Sequence, residues 1–313
     1  MFLGMDTSCY TTSVAAFDQN GMLLADKRKL LSVKTASCGL RQSDMVFQHM
    51  KNLPELFESL PELQGKIKAV CVSSKPRPVE DSYMPAFLAG LSFARVIAAS
   101  TGAKLYFTSH QQNHIEAGLW SAAGPKTGSF IVLHVSGGTT DLLIADKTGD
   151  GLKVREIGCS MDISAGQFID RVGVLLGLDF PCGKALETMA LEAVETVILP
   201  VAVKDLNVSY SGPLTAAKKL IEKGASKAEL AAGVQLAIAK SFVKLLENAC
   251  LFSGSRQILL VGGVSSNMYI KTYLLEKFIK KEIDIYFPDA VYCLDNAVGC
   301  AWSAFEKWRN DIG

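Results

Sequence analysis

Apolar positions in this chain fall into short runs broken by polar, glycine-containing turns. Phe2-Leu-Gly-Met5 and Val14-Ala-Ala-Phe17 flank the turn Asp6-Thr-Ser-Cys-Tyr-Thr-Thr-Ser13, which reads as strand, tight turn, strand. Phe130-Ile-Val-Leu-His-Val135 and Leu142-Leu-Ile-Ala-Asp146 repeat the pattern around Ser136-Gly-Gly-Thr-Thr-Asp141. Aligning Asp6 with Ser136 superposes the apolar flanks and the hydroxyl-rich turns, so one supersecondary unit occurs twice and two related lobes are expected. Between the copies, residues 44–60 have helical periodicity, 66–74 read as a buried strand, 83–100 as a long helix and 104–107 as a strand. After the second copy, helices are expected at 164–177, 213–223 and 227–252, with a further helical stretch near 183–197. Gln257-Ile-Leu-Leu-Val261 then forms an apolar strand, followed by a helix from Asn267, the strand 283–287 and a closing helical segment. Strands alternating with helices imply an α/β protein with parallel or mixed sheets. No low-complexity linker separates the lobes, which predicts a cleft between them rather than a tether.

Composition narrows the function classes. At 313 residues the chain is long enough for two moderate domains. A net charge of +1 gives no global electrostatic case for nucleic-acid binding, although Lys75 and Arg77 offer a local phosphate contact. The eight cysteines (Cys9, Cys38, Cys71, Cys159, Cys182, Cys250, Cys293, Cys300) form no C-x-x-C pair, and those within apolar runs read as reduced, buried thiols. The N-terminus lacks the pattern of a signal peptide, and Arg95 and Lys240 interrupt the longest apolar stretches. A cytoplasmic protein without membrane spans is expected.

Three places carry candidate chemistry. His110 and His114 stand four residues apart, so on a helix both imidazoles share one face and can grip one metal ion. A solvated first turn explains the pair equally well, and spacing does not decide. Ser136, Gly137, Gly138 and Thr139 lie between two strands, where bare backbone and hydroxyls build an anion-binding concavity or simply a hairpin turn. Gly262 and Gly263 follow a buried strand and precede a helix opened by Asn267. Such a junction presents backbone donors to a nucleotide, or is an ordinary capped loop. Asp295 is a candidate third metal ligand, with a helix N-cap as the alternative. Neither G-x-G-x-x-G nor G-x-x-x-x-G-K-[ST] occurs.

Taken in order, these segments resemble the universal tRNA threonylcarbamoyladenosine synthesis family, also labelled glycoprotease or peptidase family M22. LGMDTSC (3–9) resembles L-G-I-E-T-S-C, and HQQNHIEAG (110–118) resembles the family's H-x-x-x-H motif. VSGGTTDL (135–142), GQFIDRVGVLLGLDFPCG (166–183), YSGPLTAA (210–217), VGGVSSN (261–267) and YCLDNAVGCA (292–301) complete the series. The resemblance runs nearly end to end. It implies two related lobes of the actin, sugar-kinase and Hsp-type ATPase fold, with mixed sheets flanked by helices and a cleft between them. The lobes are expected at 1–108 and 109–295, with 296–313 packing back on the first. It further implies that His110, His114 and Asp295 hold one divalent ion, Fe2+ or Zn2+, in that cleft. Ser136, Gly137 and Gly138 would contact the phosphate or carbamoyl end of an adenine nucleotide or acyl-adenylate, and Asp170, Gly183 and Asn267 its nucleoside. The activity implied is transfer of threonylcarbamoyl from threonylcarbamoyl-AMP to N6 of the adenosine beside the tRNA anticodon, with partner subunits.

The alternatives are a paralogous carbamoyl-type transferase or nucleotide-binding protein with another acceptor, and a non-catalytic partner. The sequence departs from the family's bacterial pattern at Tyr10 and Thr11, at Thr139, at Cys182 and at Gly299-Cys300. It also departs at Lys75-Pro-Arg-Pro-Val-Glu-Asp81, which replaces a Gly-Pro-Gly. A peptidase is not expected, because there is no H-E-x-x-H and no nucleophile set beside a base.

Overall fold

Strand β1 (Phe2–Asp6) is buried at every position. It has strand neighbours on both edges and helices on both faces, so its residues run almost continuously apolar until Asp6. In this computed structural model, which describes residues 1–8, 10–32, 40–60, 67–126, 128–149 and 151–312, β1 pairs antiparallel with β2 (Thr11–Phe17). β3 (Leu23–Leu30) extends that edge. Helix α1 (Gln42–Glu58) leads to β4 (Ala69–Lys75), which pairs parallel with β1. Helix α2 (Phe87–Thr101), β5 (Lys104–Ser109) and α3 (His110–Ser121) follow. The sheet order is β3-β2-β1-β4-β5.

The second half repeats this plan. β6 (Ser129–Val135), β7 (Thr140–Thr148) and β8 (Gly151–Cys159) are followed by α4 (Ala165–Leu175), α5 (Gly183–Ala190) and the hairpin β9 (Ala202–Lys204) and β10 (Asn207–Ser209). Next come α6 (Ser211–Glu222), α7 (Lys227–Ser253), β11 (Gln257–Val261), α8 (Met268–Ile279), β12 (Asp284–Tyr286), the single turn α9 (Ala290–Cys293) and α10 (Val298–Ile312). The order β8-β7-β6-β11-β12 matches the first sheet strand for strand, with β6 antiparallel to β7 and parallel to β11. The repeat seen in the sequence is thus a repeat of topology.

Two units result: residues 1–123, 147–153 and 294–313 form the first, and 124–146 with 154–293 the second. This grouping differs from the expected division after residue 108. Helix α3 counts with the first unit because α10 packs on it: Phe17 sits edge-on to Trp120 of α3 at 5.3 Å and against Trp302 of α10 at 5.6 Å. The two-residue period of β1 sorts its faces. Leu3 and Met5 enter a core with Leu53 and Leu56 of α1 and Ala89 and Ala94 of α2. Phe2 and Gly4 turn to α10, with Phe2 packed on Phe305 and Trp308. In the second unit, Ile131, Leu133 and Val135 share a core with Phe242 of α7 and Leu274 and Phe278 of α8.

The helix expected near 183–197 stops at Ala190, and the one expected from Tyr83 begins at Phe87, beyond Pro85. Among the described residues, Cys71, Cys159, Cys182, Cys250, Cys293 and Cys300 are free thiols, whereas Cys9 and Cys38 lie outside the described residues. No described helix is long and apolar enough to cross a membrane.

Gly4 is where α10 comes down on the sheet. A Cβ there would stand 2.2 Å from the Ala301 nitrogen and 2.4 Å from the Ala297 oxygen, both backbone atoms. Gly4→Ala is therefore expected to destabilise the chain by ~1–3 kcal/mol or more and to lower its melting temperature by several degrees. Gly212→Ala, where a Cβ meets nothing within 4 Å, serves as the control and should melt no lower than the wild type. Equal melting of the Gly4 variant and the wild type would refute the close approach.

Candidate metal centre and nucleotide loops

Helix α3 starts sharply because Ser109 closes a capping box. Its hydroxyl accepts from the Gln112 N–H at 3.2 Å, and the Gln112 side chain accepts from the Ser109 N–H at 3.0 Å. His110 is thereby the first helical residue, and His114 lies one turn on, with ring centroids 4.5 Å apart. His114 is almost fully buried, which removes the solvated-face reading for that residue. The Nε2 atoms of the two rings are 3.2 Å apart. Asp295 Oδ1 lies 3.3 Å from His114 Nε2 and 3.7 Å from His110 Nε2. Three donors held ~2.0–2.2 Å from one ion at tetrahedral angles would stand roughly 3.4 Å apart, so the spacing fits a four-coordinate ion with one position open.

Asp295 is not the N-cap of α10. It lies three residues ahead of that helix, whose first N–H, that of Val298, donates to the Asn296 side chain at 2.8 Å. Asn113, between the histidines, fastens the centre. Its Nδ2 donates to the Asn296 carbonyl at 2.6 Å and to Asp6 Oδ2 at 2.9 Å, and its Oδ1 accepts from the Cys300 N–H at 2.7 Å. A Cβ at Gly299 would meet the Asn113 carbonyl oxygen at 1.9 Å, so glycine is required there at this spacing of α10 and α3. The buried Asp6 carboxylate faces His110 Nδ1 at 2.9 Å. Burial alone would lower the His110 pKa, but the charge and hydrogen bond of Asp6, with help from Asp295, lift it to about 9. Burial would raise Asp295, yet the His114 hydrogen bond and both imidazoles hold it below the usual carboxylate range. All three candidate ligands, and the residues that fasten them, belong to the first unit. Asp6 and Asn113 lie within LGMDTSC and HQQNHIEAG, where neither residue type nor spacing marks them for a role.

The changed loop at 75–81 touches this helix. The Pro76 carbonyl accepts from the Gln111 N–H at 3.0 Å, the Val79 carbonyl from Lys75 Nζ at 3.0 Å, and the Ser82 hydroxyl from the Arg77 N–H at 2.9 Å.

The candidate nucleotide residues lie in the second unit. Ser136 Oγ accepts from the N–H groups of Gly138 and Thr139, both at 3.2 Å, leaving Gly137 and Gly138 exposed. Helix α4 is tied to this turn, for Ser164 Oγ donates to the Gly137 carbonyl at 3.0 Å and Thr140 Oγ1 accepts from the Ala165 N–H at 2.9 Å. Gly262 has φ +93°, and a Cβ there would be 2.4 Å from the Val135 carbonyl oxygen, so both conformation and space require glycine. Gly263 opens the 3-10 turn that follows, and Asn267 caps α8 by accepting from the Ile270 N–H at 3.0 Å. Asp170 accepts from the Cys182 N–H at 2.8 Å and so holds the turn that ends at Gly183. Burial raises the Asp170 pKa. Glu187, which the sequence reading did not single out, accepts from the Met268 N–H at 2.7 Å and links α5 to the start of α8.

A duplicated sheet unit, a three-donor metal geometry and glycine turns at strand ends together define the class: an α/β protein of the actin, sugar-kinase and Hsp-type ATPase fold. Full-length HypF, solved in a phosphate- and nucleotide-bound form, shares the fold with a TM-score of 0.63 at 13% identity, covering 99% of this chain and 55% of that one. The chain belongs to the tRNA N6-adenosine threonylcarbamoyltransferase (TsaD) family, whose model matches residues 47–302. It is 31% identical over 311 residues to a tRNA N6-adenosine threonylcarbamoyltransferase of Thermus thermophilus, covering 98% of this chain and 92% of the relative. It is 30% identical over 305 residues to the probable bifunctional tRNA threonylcarbamoyladenosine biosynthesis protein of Methanothermobacter thermautotrophicus. That match covers 96% of this chain but spans about half (54%) of the relative.

His110→Ala and Asp295→Ala are each expected to abolish stoichiometric binding of zinc or ferrous iron while far-UV circular dichroism stays that of the wild type. Undiminished metal content in either folded variant would sink the assignment.

Proposed function

We propose that this chain transfers the threonylcarbamoyl group of threonylcarbamoyl-AMP to N6 of the adenosine beside the anticodon of tRNA. The observation that carries the reading is the convergence of His110, His114 and Asp295, drawn from distant parts of the chain, into one donor set. An acyl-adenylate is already activated, so the protein's task is to position it and to stabilise the charge that develops on its carbonyl and leaving phosphate. A divalent ion held by these three residues supplies Lewis acidity toward such oxygens. The capping box at Ser109 and the Asn113 contacts fix the ligands before substrate arrives. On the exposed Gly137–Gly138 turn the Gly138 N–H is held by Ser136, so the Gly137 N–H is the donor offered to the anionic end of the nucleotide, and the turn held by Asp170 and the cap at Asn267 border its nucleoside. The near-neutral charge fits a protein that relies on partner subunits to hold tRNA, with Lys75 and Arg77 as local phosphate contacts. The metal is iron or zinc, since two imidazoles and a carboxylate suit both.

A second reading rests on the 75–81 loop. Its Pro-rich sequence replaces a glycine-flanked one and hydrogen-bonds to the residue beside His110, so it favours a paralogous transferase acting on a different acceptor. The intact donor set speaks against a non-catalytic partner.

Expression of the chain in a strain lacking its own threonylcarbamoyltransferase distinguishes these readings. Nucleoside mass spectrometry should show threonylcarbamoyladenosine restored by the wild type and absent with His114→Ala. Absence with the wild type, while the purified protein still binds metal and adenylate, would transfer the assignment to the paralogue.

A further inference from the structure

Asp6 sits at the end of the central strand of its sheet with no exposed surface, a costly place for a carboxylate unless every lone pair has a use. The groups around it are all donors. Oδ1 accepts from the Ser8 N–H at 2.8 Å, and Oδ2 accepts from Asn113 Nδ2 and faces His110 Nδ1, each at 2.9 Å. Ser8 N–H and the Asn113 amide are fixed donors, and the Oδ2 they help to place can only accept. His110 must therefore turn a protonated Nδ1 toward Asp6, so that when the ring gives up its second proton the lone pair forms on Nε2. That Nε2 is the atom beside His114 Nε2 and Asp295 Oδ1.

We propose that Asp6 is the positioning residue of the metal centre, a buried carboxylate that locks His110 in the Nδ1-protonated tautomer and presents Nε2 to the ion. The inference rests on the metal reading above and adds a residue to it that touches neither ion nor substrate. A carboxylate behind a ligating imidazole also raises its basicity and fixes its ring plane. Asparagine in the same place meets donors on both sides with one acceptor and one donor. If its amide nitrogen faces His110, the imidazole must accept at Nδ1 and carry its proton on Nε2, which blocks coordination. If it faces Ser8, the backbone N–H loses its acceptor and His110 loses the charge behind it.

The test uses the full chain and zinc alone. A chelator-competition titration should give one zinc per wild-type chain and an affinity at least ~10-fold weaker for Asp6→Asn, folded by circular dichroism. In the zinc-loaded wild type labelled with 15N-histidine, the His110 proton should reside on Nδ1. A purely structural Asp6 would lower the melting temperature and leave zinc affinity unmoved, and that result overturns the proposal, as does metal on His110 Nδ1. Should Asp6→Asn fail to fold, the wild-type nitrogen spectrum decides alone. A wild type that binds no zinc or iron overturns the metal reading and this inference together, whereas loss confined to the variant supports both.

Discussion

Helix α10 runs at backbone distance against both β1 and α3, and Asp295, just ahead of it, stands beside the two histidines. Two glycines permit this, Gly4 under Ala297 and Ala301 and Gly299 against the Asn113 carbonyl. Asn113 converts that proximity into fixed geometry, holding the Asn296 carbonyl, the Cys300 N–H and Asp6 with one amide. Chemistry follows from packing here. A side chain at either glycine would push away the helix that follows Asp295.

Charge completes what packing begins. Asp6 and Asp295 stand on two sides of a pair of imidazoles. Their field keeps a proton on His110 to about pH 9 despite burial, and the same field favours a divalent cation. Proton and metal therefore compete for one set of lone pairs, as they must wherever the ligand is a basic imidazole. The second unit shows a different economy. Its glycine turns are held by side chains already committed to backbone groups, namely Ser136, Ser164, Thr140, Asp170 and Asn267. With the Gly138 N–H and the Gly137 carbonyl committed too, the Gly137 N–H on this exposed turn is what remains for a ligand.

Much of the fold was legible because β1, β2, β6, β7 and β11 are buried strands whose apolar runs end in polar or glycine turns. The edge strand β3 was not. Leu23-Leu-Ala-Asp-Lys-Arg-Lys-Leu30 buries only Ala25 and so carries no period. The histidine pair and Asp295 were legible as possible ligands, and the resemblance over the whole chain favoured that reading over a solvated turn and a helix cap, since spacing says nothing about tertiary approach. Asp6 and Asn113 had no signal of their own. An acid ending a strand and an amide between two histidines acquire meaning when three elements meet. Asn267 is instructive in the other direction, for the modest reading as a helix cap describes what its side chain does.

The central claim is that one ion is held by two imidazole nitrogens and a carboxylate oxygen. X-ray absorption at the metal edge of the zinc- or iron-loaded chain tests it directly. The account predicts a first shell of nitrogen and oxygen alone at ~2.0–2.2 Å, with the outer-shell scattering of two imidazole rings. A sulfur shell near ~2.3 Å, or a shell without imidazole, would contradict it.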